Sequence, residues 1–142
     1  MKKPPTKTEL EALSEFRYQL RRFLRFSEEA AQAEGLTPQQ YQLLLHVKGY
    51  PGRDWATVGE LAERLQAQPH GALALVARCE ALGLVQRESG AADKRQVLVR
   101  LSPAGEERLL RLAALHRREL RSLKEVFQVA RISAFTGQGQ ST

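Results

Sequence analysis

Residues 57–105 constrain the fold of this chain more than any other stretch, because they place several short elements in a fixed order. Two helical patterns are followed by Gly83-Leu84-Val85, a strand pattern, a polar basic turn, a second strand pattern and a new helix start. In the second strand pattern Val97, Val99 and Leu101 alternate with other residues, and this period of two is typical of a strand. The order predicts two short helices packed against a β-hairpin.

Start and stop signals predict the helices on the N-terminal side of this segment. Thr8 and Glu11 have the spacing of a capping box and predict a first helix that Gly35 ends, over residues 8–35. Its apolar positions recur at steps of three and four: Leu10, Leu13, Phe16, Leu20, Phe23 and Leu24. The run Thr37-Pro38-Gln39-Gln40 predicts a second helix that stops at Gly49.

Similar signals divide the segment itself. Thr57 and Glu60 repeat the capping-box spacing and open a third helix. A fourth helix is predicted from about Gln68-Pro69 to Gly83, with an inward stripe of Ala72, Leu75, Val76, Cys79 and Leu82. Strands are expected near 84–88 and 96–101, and Ser102-Pro103 opens a final helix to about residue 132, with Leu109, Leu112, His116, Leu120, Leu123 and Phe127 at helical spacing.

Together these elements predict a mainly α fold with a small β-hairpin wing. It is the plan of a winged helix-turn-helix, in which one helix enters a DNA groove and a hairpin lies on the backbone beside it. At 142 residues we expect a single domain, 1–142, whose core is 36–101 and whose flanking helices are 8–35 and 102–132. After about Ile132 the polar tail is expected to be disordered.

Charge and composition narrow the possible partners. Lys and Arg number 22 against 16 Asp and Glu, which gives a net charge of +6. A basic balance favours a polyanionic partner because neutralised phosphates release counterions, although simple solubility accounts for it equally well. No apolar run approaches the roughly 20 residues that cross a bilayer, and a single cysteine forms no internal disulfide. We expect a cytoplasmic protein without a membrane segment.

The sequence offers no recognisable catalytic or metal site. His46, His70 and His116 lack the spacing of metal ligands, and neither a nucleophile elbow nor a Gly-rich phosphate loop is present. Adjacent carboxylates such as Glu28 and Glu29 diverge on a helix and cannot share a site. We therefore expect no enzyme activity, no metal and no cofactor.

The chain resembles the MarR family of bacterial winged-helix transcriptional regulators. Asp93-Lys94-Arg95, followed after five residues by Leu101-Ser102-Pro103-Ala104-Gly105, is similar to the family pattern across the wing and into the last long helix. Leu36–Tyr41, Val58–Ala62 and Leu82–Arg87 are similar to the starts of the second and third helices and to the exit of the recognition helix. The ordered combination, over about residues 8–127, is more specific than any one piece.

The resemblance implies how such a protein works. It implies a homodimer formed by the first and last helices, here mainly 8–35 and Ser102–Phe127. It also implies repression at a near-palindromic operator in double-stranded DNA, relieved when a small ligand binds. A winged-helix protein-interaction module with weakened or lost DNA recognition is the alternative, because Gly71, Leu73, Ala74 and Ala77 carry no polar side-chain atoms.

Candidate DNA contacts lie on the wing and on the fourth helix. Arg95 is predicted to enter a narrow minor groove with Asp93 orienting its side chain, while a solvated turn is the other interpretation. Lys94 and Arg87 are candidate phosphate ligands. On the recognition helix the polar candidates are Gln68, His70 and Arg78, and for Arg78 an ion pair with Glu80 or Glu107 remains open.

Two further predictions concern the interior. A pocket for a small aromatic ligand would be lined by Phe16, Phe23, Tyr41, His46, Trp55 and His116, although these side chains equally suit a dimer core. Cys79 lies on the inward stripe of the fourth helix, which favours a buried spacer over a redox switch.

Overall fold

The computed structural model describes residues 3–90 and 92–125, without the side chains of 118–120 and 122–125. The fold is mainly α with a small antiparallel sheet, as predicted. Its elements in chain order are α1 Lys7–Ala33, α2 Pro38–Lys48, β1 Trp55–Thr57, α3 Val58–Leu65, α4 Pro69–Ala81, β2 Val85–Ser89, β3 Val97–Leu101 and α5 Pro103–Glu125. The predicted disordered tail, Phe127 and the end of the last helix lie outside the described residues.

The chain divides into two compact units. Among the described residues, one unit combines 3–29 with 114–125, and the other is formed by 30–90 and 92–113. The second unit contains α2, all three strands, α3 and α4, so it corresponds to the predicted core of 36–101 with short helical extensions on both sides.

Capping boxes open the second and third helices where the sequence predicts them. The Thr37 hydroxyl accepts from the Gln40 N–H, and the Gln40 side chain accepts from the Thr37 N–H. Thr57 and Glu60 form the same reciprocal pair.

At α1 the predicted box is wrong. The reciprocal bonds join Thr6 and Glu9 rather than Thr8 and Glu11. Thr6 directly follows Pro4-Pro5, and starting there gives the helix one further backbone bond, from the Leu10 N–H to the Thr6 carbonyl. Both Thr–Glu pairs have the required spacing, so spacing alone does not choose between them.

The sheet has three strands in the order β1-β3-β2, all antiparallel. Val99 at the centre of β3 lies opposite Ala56 on one side and Arg87 on the other, and its side chain is buried. The sequence did not predict β1, because three residues are too few to show a period of two. Thr57 ends this strand and caps α3, so the sheet passes into the helix without a connecting loop.

The core of the second unit is formed by aliphatic side chains from every one of its elements. Leu43, Leu44, Val47, Leu61, Val76, Val99 and Leu112 are fully buried. The inward stripe of α4 is confirmed for Ala72, Leu75, Val76 and Cys79, which are all buried. Leu82 is 54% exposed, because it is the C-cap of α4 and lies where the helical periodicity has ended.

The start of α5 is held tightly against the exit of α4. The Ser102 hydroxyl donates to the Gly83 carbonyl at 2.6 Å and accepts from the Gly105 N–H at 3.0 Å, while the Ser102 N–H donates to the Leu84 carbonyl at 3.0 Å. A Cβ at Gly105 would lie 2.0 Å from that Leu84 carbonyl oxygen. The Leu-Ser-Pro-Ala-Gly motif is therefore a close backbone junction that only glycine permits at its last position.

Candidate nucleic-acid interface

Helix α4 presents one buried face and one open face. Gln68 is its N-cap and makes no side-chain capping bond, so its amide is exposed at the start of the helix. His70, Ala74 and Ala77 lie opposite the buried stripe and are exposed. Helices enter the major groove with their N-terminal half, and this open face has the required accessibility.

An open cleft of about 450 Å³ separates α4 from the wing. Its lining combines the start of α3, the start of α4 and the β3 side of the wing: Thr57, Val58, Gly59, Pro69, His70, Leu73, Arg95, Gln96 and Val97. Two of the predicted DNA contacts, His70 and Arg95, thus line one concave surface although 25 positions separate them in the sequence. Leu73 lines the same surface and is 41% exposed.

A second depression, of about 350 Å³, lies on the other flank of α4. It is lined by Gln39, Gln42, Leu65, Ala67, Gly71, Ala72, Leu75 and Arg78. Sequence reasoning did not select Gln39 and Gln42 of α2, because their position after an N-cap threonine indicates helix initiation alone. Their amides, together with the Arg78 guanidinium, can donate to phosphate oxygens.

Arg78 does not form either of the ion pairs that the sequence left open. Glu80 pairs with Arg87, and Glu107 pairs with Arg111. Within the described part of the chain Arg78 has no ion-pair partner, and its side chain is exposed. Its charge is therefore available to a ligand at the surface of α4.

The wing tip holds the backbone of Arg95 and leaves its side chain in solvent. The Asp93 carboxylate accepts from the Arg95 N–H at 2.9 Å and lies 3.5 Å from the Arg95 Nε. The Arg95 side chain is 94% exposed. That Asp93 orients the side chain of Arg95 for DNA binding stays a prediction, and Lys94 beside it is exposed as well.

Arginines nearer the base of the wing are already paired. Arg87 donates to both carboxylate oxygens of Glu80, at 2.8–3.1 Å, and the hydrogen bond from Arg87 lowers the pKa of that carboxyl. Arg100 donates to Glu88 at 2.9 Å and to Asp54 at 3.2 Å. The predicted phosphate role of Arg87 stays a prediction, and its pairing makes it a weaker candidate than Arg95.

A cluster around Glu60 fixes the start of α3, and sequence reasoning missed it. The Arg53 guanidinium lies 4.2 Å from the Tyr50 ring centroid and 4.0 Å from that of Trp55, and it pairs with the Glu60 carboxylate. Burial by itself raises the pKa of Glu60, but hydrogen bonds from Thr57, Tyr50 and Arg53 lower it from 4.5 to about 2. The carboxylate is therefore charged at neutral pH and anchors α3 beside the cleft.

The structure distributes the six predicted ligand-pocket residues over both units. Phe16, Phe23 and His116 belong to the first unit, where the Phe23 and Phe26 rings meet the His116 ring edge-on at centroid distances of 5.9 and 5.3 Å. The second unit contains Tyr41, buried in its core, His46 on α2 and Trp55 under Arg53. The pocket itself stays a prediction.

Cys79 lies inside the core of the second unit. Its side chain is fully buried, and burial raises the pKa of the thiol to about 11 despite the nearby charge of Arg78. The thiolate is the reactive form, so this cysteine is unreactive at neutral pH in the folded protein.

The described residues contain neither a metal-binding cluster nor a membrane-spanning helix. No group of three or more His, Cys, Asp and Glu side chains converges there in a way that would hold a metal ion. Across the same residues, no helix is both long and apolar enough to span a bilayer.

Comparisons with known proteins agree with this geometry. Residues 34–96 match the model of the MarR family. A comparison with curated protein sequences gives no match.

Several solved structures share the fold. The MarR family transcriptional regulator AbsC from Streptomyces coelicolor superposes with a TM-score of 0.73 and 23% identity, covering 98% of this chain and 100% of AbsC. A cysteine-to-serine mutant of MarR from E. coli, complexed with operator DNA, gives 0.66 and 20% over 88% and 90% of the two chains. A phenylalanine-to-leucine mutant of MepR from S. aureus, bound to an oligodeoxyribonucleotide, gives 0.63 and 18% over 87% and 88%. At sequence identities of 18–23%, these structural similarities show the fold of the chain and nothing beyond it.

Proposed function

We propose that this chain, whose residues 34–96 match the model of the MarR family, is a DNA-binding transcriptional regulator that acts as a homodimeric repressor of a near-palindromic operator. The family consists of DNA-binding regulators, which agrees with the expectation that the chain is not an enzyme. Such a regulator acts in the cytoplasm, because it must reach the DNA that it controls. The operator and the repressing role are the parts that experiment has to test.

The observation that carries the proposal is the shared surface of α4 and the wing. The outward face of α4 and Arg95 at the wing tip border one cleft. A duplex whose major groove receives α4 would bring the adjacent minor groove to the wing, where Arg95 meets the enhanced negative potential of a narrow groove. Gln68, His70, Arg78 and Lys94 add exposed donors along the same interface.

Exposed apolar side chains of the first unit support the homodimer. Leu10, Leu13 and Leu24 of α1 are 52%, 41% and 40% exposed, and Leu115 of α5 is 52% exposed. Leu10, Leu13 and Leu24 form one stripe because of their helical spacing. Exposing such an apolar stripe to water is unfavourable, so we expect another surface to cover it. A second copy supplies the same stripe, as a two-fold interface requires.

Relief by a small aromatic ligand belongs to the same proposal. Phe16, Phe23 and His116 of the first unit are the side chains that we propose for its pocket. The edge-on contacts of Phe23 and Phe26 with His116 provide an aromatic environment in the first unit that suits a flat apolar compound.

The direct test is a fluorescence anisotropy titration of the protein with duplexes from the DNA flanking its own gene, repeated at several salt concentrations. Arg95→Ala should weaken binding by about tenfold and lower the slope of log K against log salt by about one, because one groove contact is lost. Arg100→Ala is the matched control, since Glu88 and Asp54 already neutralise that side chain. If Arg95→Ala and the unaltered protein bind DNA with equal affinity and equal salt slope, the wing does not contact DNA.

A second candidate function follows from the apolar open face of α4. Gly71, Leu73, Ala74 and Ala77 are all exposed and offer no side-chain hydrogen bonds, which suits a protein-interaction module on a winged scaffold. Such a module would bind a protein partner tightly and independently of salt, and it would bind no duplex. Light scattering and pull-down experiments beside the anisotropy titration discriminate the two functions.

A further inference from the structure

The open face of α4 pairs an exposed leucine with charged flanks. Leu73 is 41% exposed and lies in the cleft wall beside Pro69 and Val97. Arg95 lines the same cleft, and Arg78 lies on the opposite flank of the helix. Since the buried stripe of α4 is complete without Leu73, packing of the described core does not explain a large apolar side chain at this position.

The flanking charges identify the kind of surface that would cover this leucine. Arg78 and Arg95 are exposed cations on both sides of it, and the exposed Lys94 adds a third. Positive flanks around an apolar strip match a polyanion that also offers an apolar group. In the major groove of unmodified DNA that group is the C5 methyl of thymine.

The neighbours of Leu73 have the spacing for more than one such contact. Ala77 is one helical turn further along, roughly 6 Å, which corresponds to about two base-pair steps of 3.4 Å. Ala74 lies between them on the exposed side, and its small side chain allows the helix to approach the base edges closely. These three residues form the apolar strip of α4.

We propose that the apolar strip of Leu73, Ala74 and Ala77 contacts thymine methyl groups, so that thymines at defined positions of the half-site provide much of the sequence specificity. The inference rests on the proposed function, because it requires that α4 enters the major groove. Leu73 is the principal specificity residue, while Gln68, His70 and Arg78 supply the few polar contacts.

The test replaces thymine with deoxyuridine, which lacks only the methyl group. An operator duplex selected with the full-length protein is synthesised with single thymine-to-uracil replacements across each half-site, and binding is measured by anisotropy at fixed salt. Losing one buried methyl contact should weaken binding by about fourfold. The effect should be confined to one or two positions in each half-site, about two base-pair steps apart where there are two.

Variants connect the effect to the helix. Leu73→Ala should bring the ratio of thymine to uracil affinity close to one at the sensitive position. Leu82→Ala is the matched control, because Leu82 is an exposed leucine at the other end of α4 and lies outside the cleft. Circular dichroism of both variants verifies that they fold.

The possible outcomes separate this inference from the proposed function. Equal affinity for thymine and uracil at every position, or an unchanged ratio in Leu73→Ala, overturns the inference and leaves DNA binding intact. Absence of duplex binding at low salt, with salt-independent capture of a protein through Leu73, overturns both. A position-specific uracil penalty that Leu73→Ala abolishes supports the inference.

Discussion

The two ends of the β2–β3 hairpin use their polar groups in opposite ways. At the base, the Ser102 hydroxyl bonds both Gly83 and Gly105, and the backbone of Gly105 lies directly against Leu84. At the tip, only the backbone of Arg95 is held firmly, and its guanidinium extends into solvent. The base therefore stabilises the fold, while the tip keeps its charge for a partner.

The arginines of the hairpin follow the same division. Arg87 and Arg100 each pair with carboxylates that hold them against the protein, whereas the one ion pair of Arg95 among the described residues is a 3.5 Å contact with the half-exposed Asp93. An arginine that already forms a bidentate ion pair with a carboxylate must break that pair before it can bind a phosphate in the same way. Position along the hairpin therefore separates a structural arginine from a binding one, although both look alike in the sequence.

The largest effect is expected when the base of the hairpin is disrupted with Gly105→Ala. A methyl group 2.0 Å from the Leu84 carbonyl oxygen forces the start of α5 away from the exit of α4. We expect a loss of at least about 3 kcal/mol in the free energy of unfolding, measured by urea denaturation.

Gly71→Ala is the matched control for this substitution. No heavy atom lies within 4 Å of a Cβ at Gly71, which is inside α4, so the change should raise stability by about 0.5–1 kcal/mol. Similar urea midpoints for the two alanine variants would contradict the close junction at the base.

A smaller loss of stability is expected at the junction of β1 and α3, where Glu60 anchors the start of α3. Its folded-state pKa of about 2 lies below the ordinary 4.5, so the carboxylate stabilises the fold above about pH 4.5 and this contribution is lost as the pH falls towards 2. Glu60→Gln keeps the capping geometry but loses the charge, and should cost about 1–2 kcal/mol at pH 7.

The pH dependence provides the check on this assignment. Thermal unfolding from pH 7 down to pH 2.5 should bring the variant and the unaltered protein together as the acid protonates Glu60. A stability difference that stays constant over the whole range would show that the lost interaction does not involve the charge.

The prediction that disturbs the fold least concerns Cys79, because it alters no residue. The Cys79 carbonyl accepts from the Leu84 N–H at 2.9 Å, at the base of the hairpin. With a pKa of about 11 and a buried side chain, this thiol should react with a disulfide reagent at least about a hundredfold more slowly in the folded protein than in urea. It is the single cysteine of the chain, so the absorbance change reports on it alone. Fast labelling at neutral pH would indicate that the base opens.

Local signals predicted much of this fold. The boxes of Thr37 and Thr57, the strand Val97–Leu101 and the helix start at Ser102 are each set by a few adjacent residues, and the structure has all of them. The predicted start of α1 was wrong because two threonines compete at the same spacing. Strand β1 was missed because its pairing with β3 involves residues more than 40 positions away.

The candidate interface was less predictable for the same physical reason. The Asp93–Arg95 contact joins neighbours in the sequence and was anticipated. By contrast, the pairing of Arg87 with Glu80 and the cleft shared by His70 and Arg95 depend on how the elements pack. Sequence periodicity predicts which face of a helix is buried, but it does not predict which element packs against that face.

The direct passage from β1 into α3 also limits how the chain length can vary. Thr57 ends the strand and caps the helix, so an inserted residue at 57–58 would break either the ladder to β3 or the capping box. Residues 92–95 at the wing tip lie outside both the strand ladder and the capping box, so insertions there would lengthen the reach of Arg95. The span of the wing can therefore change while the distance between sheet and helix stays fixed.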